Sequence, residues 1–258
     1  MNKVTSADGT TIAYETSGAG SPVILIGGAF NDHQTAAPLA AVLAPHFTAV
    51  SYDRRGRGSS GDTAPYAVRR EVEDLAAIIA AVGAPVFVYG LSSGAALGFE
   101  AAAAGLAIGK LALFEPPYRV AANHRKAEDF IARLTELISS GRNGEAVAHF
   151  MTKAVGLPDG AVVHMRRTPV WPALEAMAPT VVYDSLILGD GSLPADRLAA
   201  VTVPALVIDS AGSPDWLRHA SEAVASALAN AQHRSLRGGF HDVPPKILGP
   251  VLESFFAA

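Results

Sequence analysis

The chain has 258 residues, half of them hydrophobic, and a formal net charge of -4. That length suits one α/β domain with a modest insertion. With 17% charged residues and no concentrated basic patch, there is no electrostatic case for nucleic acid as a partner. The absence of cysteine rules out disulfides, zinc–thiolate sites and a thiol nucleophile. No run approaches the roughly 18 apolar residues of a membrane span. The opening Met1-Asn2-Lys3-Val4-Thr5 lacks the apolar stretch of a signal peptide, so a soluble cytoplasmic protein with no membrane partner is expected.

From the N-terminus, 3–6 and 10–15 read as two short strands around a turn at Asp8-Gly9. The apolar run 22–26 ends in Gly27-Gly28, as a buried strand would. Helical spacing follows over 34–43, then a strand over 47–52, closed by Asp53-Arg54-Arg55-Gly56-Arg57-Gly58. The stretch 68–82 predicts a helix with Val72, Leu75, Ile79 and Val82 on one face, stopped by Gly83. A strand over 85–89, a helix over 93–104 and a strand over 110–114 follow.

Regularity breaks between about 118 and 188. Helices are expected over 127–139 and 144–155, with loop and a short helix in the proline-rich 168–179. Alternation resumes with a strand over 203–208, a helix over 214–229, a strand over 233–236 and a helix over 246–256. Strands alternating with helices imply parallel strands joined by right-handed crossovers. The irregular middle then reads as an insertion over the carboxyl ends of the strands.

The most specific motif is Gly90-Leu91-Ser92-Ser93-Gly94, between the strand Pro85-Val86-Phe87-Val88-Tyr89 and the small residues Ala95-Ala96-Leu97-Gly98. So sharp a strand-to-helix turn forces its middle residue into strained backbone angles, and the glycines on either side prevent clashes. Ser92 Oγ is thereby exposed above a helix N-terminus, where developing negative charge is stabilised. The same pentapeptide elsewhere would merely cap a helix; its context makes it a nucleophile motif. Neither phosphate-binding glycine pattern follows an early strand, which disfavours a nucleotide.

A serine hydroxyl needs an adjacent base. Of the eight histidines, His241 in Gly238-Gly239-Phe240-His241-Asp242 lies between the last strand and the last helix, at the sheet edge that carries Ser92. His124, His149 and His164 fall in the insertion, and His33 lies near the Gly27-Gly28 turn. Activity should then fall at low pH as the base protonates.

These landmarks resemble the α/β-hydrolase superfamily along nearly the whole chain. Gly27-Gly28-Ala29-Phe30 stands where that family usually has His-Gly-x. Asp53 to Ser59 resembles its D-x-R-G-x-G-x-S segment, 90–94 its nucleophile elbow, and Gly239-Phe240-His241 its late histidine segment. The resemblance implies an α/β-hydrolase fold: a mostly parallel eight-stranded sheet flanked by helices, with core 1–117 and 189–258 and a small helical cap insertion over 118–188. It also implies an oxyanion hole from the backbone N–H groups of Ala29 and Ser93, and no metal or organic cofactor.

The triad acid is less plain. Many members carry it a few residues after the seventh strand, where this chain has Ser213, and a serine cannot supply the charge that stabilises an imidazolium. Three carboxylates are candidates. Asp215 also suits the first turn of a helix, Asp209 lies at the strand end, and Glu115 follows the sixth strand, where some branches of the superfamily place their acid. Glu115 is favoured, because its order after Ser92 and before His241 fits and its extra methylene adds reach.

Serine as nucleophile implies acyl transfer on a small or medium ester, lactone or thioester, by way of an acyl-enzyme. Phe30 and Trp171 are expected to line the substrate pocket, with Phe130, Phe150, Met151, Met165, Met177 and Tyr183 as further apolar candidates. A C–C bond hydrolase or lyase using the same triad, and a catalytically silent binding protein on the same fold, are the alternatives.

Overall fold

The computed structural model describes residues 1–119 and 127–258, together with the backbone of 124–126. The strands are β1 (Asn2–Thr5), β2 (Thr11–Ser17), β3 (Pro22–Ile26), β4 (Thr48–Tyr52), β5 (Val86–Leu91), β6 (Ile108–Phe114), β7 (Ala205–Ser210) and β8 (Ala231–Leu236). They form one eight-stranded sheet in the order β1-β2-β4-β3-β5-β6-β7-β8. β2 runs antiparallel to β1 and β4, and every other pairing is parallel.

Helices α1 (His33–Leu43), α2 (Val68–Val82) and α3 (Ser93–Ala103) connect the first parallel strands. Between β6 and β7 lie α4 (His124–Ser139), α5 (Asn143–Phe150), α6 (Asp159–Met165), α7 (Trp171–Met177), α8 (Val181–Ile187) and α9 (Ala195–Ala199). A π-helical turn, Met151–Val155, extends α5. Helices α10 (Asp215–Ala227) and α11 (Pro245–Ala257) complete the chain. Local chemistry sets several ends. Asp32 Oδ1 accepts the N–H of Gln34 at 3.0 Å and of Thr35 at 3.1 Å, which starts α1. Gly83, at φ 93°, stops α2. The stretch between β6 and β7 holds more helix than its spacing predicts, since α6 and α8 have seven residues each and α9 five, too few for a periodic signal.

Both faces of the sheet are covered, which explains why β3 reads as a continuous apolar run. Ile24 and Ile26 face α2, α3 and α10 through Leu75, Ile78, Leu97, Phe99 and Val224. Val23 and Leu25 face α1 and α11 through Leu39, Leu43, Leu248, Leu252 and Phe256. A third cluster, including Leu134, Leu137, Val147, Phe150, Trp171 and Val181, belongs to the inserted helices, and Ala29 and Phe30 of the loop after β3 pack against it. Strand order reverses its direction of growth around β3, which lies between β4 and β5. In an open α/β sheet, such a switch point leaves a crevice beyond the carboxyl ends of the two flanking strands. The loops opening there carry Gly27 to Asn31 after β3 and Ser92 after β5. Among the described residues, no helix is long and apolar enough to cross a membrane.

Candidate active site

Four non-glycine residues among those described have positive φ: Phe30 at 58°, Ser92 at 58°, Glu115 at 47° and His241 at 52°. They follow the carboxyl ends of β3, β5, β6 and β8. Each such conformation costs about 1–3 kcal/mol and persists only where the surroundings over-determine it. Strain thus collects along one rim of the sheet.

Ser92 follows the last residue of β5, and its N–H donates to Phe114 O at 2.9 Å, prolonging the parallel pairing with β6. Its φ of 58° and ψ of -122° turn the chain straight into α3. A Cβ on Gly94 would meet the carbonyl oxygens of Ile26 and Gly27, so only glycine lets α3 pack this close. A Cβ on Gly28 would stand 3.0 Å from Ser92 Cβ and 3.0 Å from Leu91 O, so the β3 loop lies against the serine. Among the described residues, no hydrogen bond engages Ser92 Oγ with His241 or any other group, and the backbone N–H groups of Ala29 and Ser93 have no protein acceptor.

Glu115 is fully buried. Its Oε1 accepts the Ser210 N–H at 2.8 Å, and its Oε2 lies 2.5 Å from His241 Nδ1. An ionised carboxylate only accepts hydrogen bonds, so this contact places the imidazole proton on Nδ1 and leaves Nε2 as a free acceptor in the neutral ring. The ring stacks on Phe114 at 5.9 Å between centroids. Two serines hold the histidine turn: Ser213 Oγ accepts the His241 N–H at 2.9 Å, and Ser210 Oγ donates to Gly239 O at 2.6 Å. Ser213, which has no charge to offer an imidazolium, therefore fixes the histidine backbone instead.

The other carboxylates lie elsewhere. Asp209 binds His233 Nε2 at 2.6 Å and Ser235 Oγ at 2.7 Å. The side chain of Asp215 is 85% exposed, 3.7 Å from Arg218. His33 pairs with Asp53 through Nδ1 at 2.8 Å. His149 stacks on Phe130, and burial holds its pKa below the ordinary value. His164 is exposed, and the side chain of His124 lies outside the described residues. Trp171, expected in the pocket, is buried among the helices between β6 and β7, with its indole N–H donating to Glu175 Oε1 at 2.8 Å. Phe30 meets Phe150 of α5 edge-on at 5.6 Å.

The model of the Alpha/beta hydrolase family matches residues 17–245. The chain belongs to the alpha/beta hydrolase family. An alpha/beta hydrolase from Sphaerobacter thermophilus DSM 20745 superposes with a TM-score of 0.92 and is 49% identical, over 99% of this chain and 100% of that one. The enol-lactonase from Burkholderia xenovorans LB400 shares the fold, with a TM-score of 0.75 at 21% identity over 100% of both chains. An uncharacterized hydrolase, YraK, of Bacillus subtilis (strain 168) is 31% identical over 103 residues, and the match spans 38% of each chain.

The family segment 53–59 carries more than a turn. Arg54, Arg55 and Arg57 are all buried. Arg54 makes a bidentate pair with Glu71 at 2.7 and 2.8 Å, and Arg55 pairs with Asp74 at 2.8 Å. Arg54 and Arg57 share Asp184 of α8, each at 2.7 Å. Burial by itself would raise the Asp184 pKa; Arg57, Arg54 and the Ser93 hydroxyl outweigh it and hold the carboxyl below its ordinary range. Burial likewise works against the Arg54 charge, but Glu71 and Asp184 keep it firmly protonated. Sequence reading missed these carboxylates. A signal existed: Glu71 and Asp74 share the buried face of α2 with Leu75, Ile78 and Ile79, and charges on an apolar stripe require buried partners.

Proposed function

We propose that this protein is a serine hydrolase that cleaves small or medium esters, lactones or thioesters through an acyl-enzyme. The observation that carries the reading is the buried Glu115 carboxylate 2.5 Å from His241 Nδ1, on the strand beside the strained, uncommitted Ser92. Ser92 Oγ attacks the substrate carbonyl, and its proton passes to His241 Nε2. Glu115 stabilises the imidazolium so formed. The backbone N–H groups of Ala29 and Ser93 receive the oxyanion; one such donor is typically worth about 3 kcal/mol of transition-state stabilisation. The leaving group then takes the proton from His241, and water activated by the same imidazole releases the acyl group. Phe30 presents an apolar wall to the substrate from the same loop as Ala29, and the inserted helices serve as a cap over the crevice.

His241 must reach Ser92 Oγ in the substrate complex, where catalytic hydrogen bonds commonly tighten. The likeness to the enol-lactonase supports an acyl substrate through the fold alone. The test is labelling with a fluorophosphonate, followed by a panel of chromogenic esters, lactones and vinylogous diketones. Stoichiometric modification at Ser92 with ester or lactone turnover is expected. An unlabelled Ser92 overturns the reading in favour of a silent binding fold, and turnover of diketones alone reassigns the reaction to C–C cleavage.

A further inference from the structure

We propose that Asp184 is a positioning residue that aims both oxyanion-binding amides from the cap; the proposal rests on the hydrolase reading above. Its carboxylate is enclosed, and each oxygen is committed. Oδ1 accepts from Ser93 Oγ at 2.6 Å and from Arg54 Nη1 at 2.7 Å, and Oδ2 accepts from Arg57 Nη2 at 2.7 Å. The two arginines continue to the β3 loop. Arg57 Nη1 donates to Gly28 O at 2.5 Å and to Asn31 O at 3.3 Å, and Arg54 Nη1 reaches Gly27 O at 3.3 Å.

The Gly28 carbonyl and the Ala29 N–H belong to one peptide group. That group is planar and trans, so its oxygen and its hydrogen point in opposite directions. A guanidinium anchoring Gly28 O therefore fixes the direction of the Ala29 N–H. It also polarises the peptide and makes that N–H a stronger donor. On the other side, the Ser92 carbonyl accepts from Ala95 N at 2.9 Å and Ala96 N at 3.2 Å, so the Ser93 N–H of the same peptide points away from the helix. The Ser93 side chain is then tied to the carboxylate that holds Arg57. One group on α8 thus connects both amides, and they reach the proposed geometry only when the cap helix is seated. Thr180, just before α8, also accepts from Arg57 Nε at 3.1 Å. The link from segment to cap is therefore made twice.

The experiment compares wild type, Asp184→Asn and Ser93→Ala with a chromogenic ester and a trifluoromethyl ketone, whose adduct with Ser92 bears an oxyanion. Losing a whole oxyanion donor costs about 10²–10³ in kcat, so misaiming these amides should cost about tenfold or more, with KM changed less than about threefold. The ketone should weaken by the same factor as kcat/KM falls, a correlation that general loosening of the fold would not produce. Asp184→Asn leaves two buried guanidiniums short of one negative charge and risks misfolding. Ser93→Ala keeps every charge and decides the matter in that case. Folded variants with unchanged kcat and unchanged ketone affinity overturn the role of Asp184 while leaving the hydrolase intact. A wild type that takes no phosphonate at Ser92 and hydrolyses nothing overturns the hydrolase reading and this proposal together.

Discussion

Replacing Glu115 by glutamine tests the proposed triad with the smallest change of shape. The two carboxylate oxygens have separate duties, one accepting the Ser210 N–H at 2.8 Å and the other facing His241 Nδ1 at 2.5 Å. Glutamine keeps one acceptor and brings two donors. If its oxygen stays on Ser210, its NH2 faces Nδ1, which must then accept; the ring proton moves to Nε2, and the imidazole can no longer take a proton from Ser92. If the amide turns over, its NH2 opposes the Ser210 N–H, and a buried donor is left unpaired at a cost of about 1–3 kcal/mol. In either orientation the imidazolium loses its counter-charge. Two unit charges about 4 Å apart at an effective dielectric of about 20 attract by about 4 kcal/mol. That corresponds to about a thousandfold in rate. Steady-state kinetics on a chromogenic ester should therefore show kcat reduced by about 10³-fold or more, with thermal unfolding run alongside to establish that the variant is folded. Asp215→Asn and Asp209→Asn should leave kcat within about threefold, because one side chain is solvent-exposed and the other is bound to His233 and Ser235. A folded Glu115→Gln enzyme within tenfold of wild type would refute the assignment.

Three further outcomes follow from the geometry. Ser92→Ala should abolish turnover, while Ser92→Gly should abolish it and also stabilise the fold by roughly 1 kcal/mol, because glycine relieves the strain at φ 58°; urea unfolding reads the gain, and an unchanged or lower midpoint for Ser92→Gly would speak against stored strain. Gly28→Ala puts a methyl 3.0 Å from Ser92 Cβ and should push the β3 loop off the serine, lowering kcat by about tenfold or more with little change in stability; kinetics matching wild type would remove the loop from the site. Asp184 has a folded pKa below the ordinary 3.8, so its contribution to stability is fully present above that value and is lost as pH falls through the folded value. Unfolding free energy measured from neutral pH downward should therefore decline below about pH 4, and less steeply in Asp184→Asn; parallel declines would contradict a depressed Asp184.

Strand and helix alternation, the elbow around Ser92 and the helix stop at Gly83 were legible in the amino-acid order, because each depends on residues a few positions apart. Buried strands declare themselves by uninterrupted apolar runs, and a tight strand-to-helix turn by its small residues. The helices α6, α8 and α9 were not legible, since fewer than eight residues cannot display a period of 3.6 against background. Apolar spacing is the same for a core and for a binding wall, so the sequence around Trp171 did not reveal its burial or its bond to Glu175.

Reach and chain order favoured Glu115 over Asp209 and Asp215 but did not establish its partner. All three are acids near strand ends, and only the register of β6, β7 and β8 brings one of them to an imidazole 126 positions away. The same holds for the arginines of 53–59: their motif was visible, but Asp184, 127 positions beyond Arg57, was not. Sequence by itself determined the layered α/β architecture and the serine turn, which are written in short-range pattern. The tertiary structure alone decided which buried charges meet, because a carboxylate's partner is set by where the folded backbone places it, and charge carries no label that spacing along the chain can read.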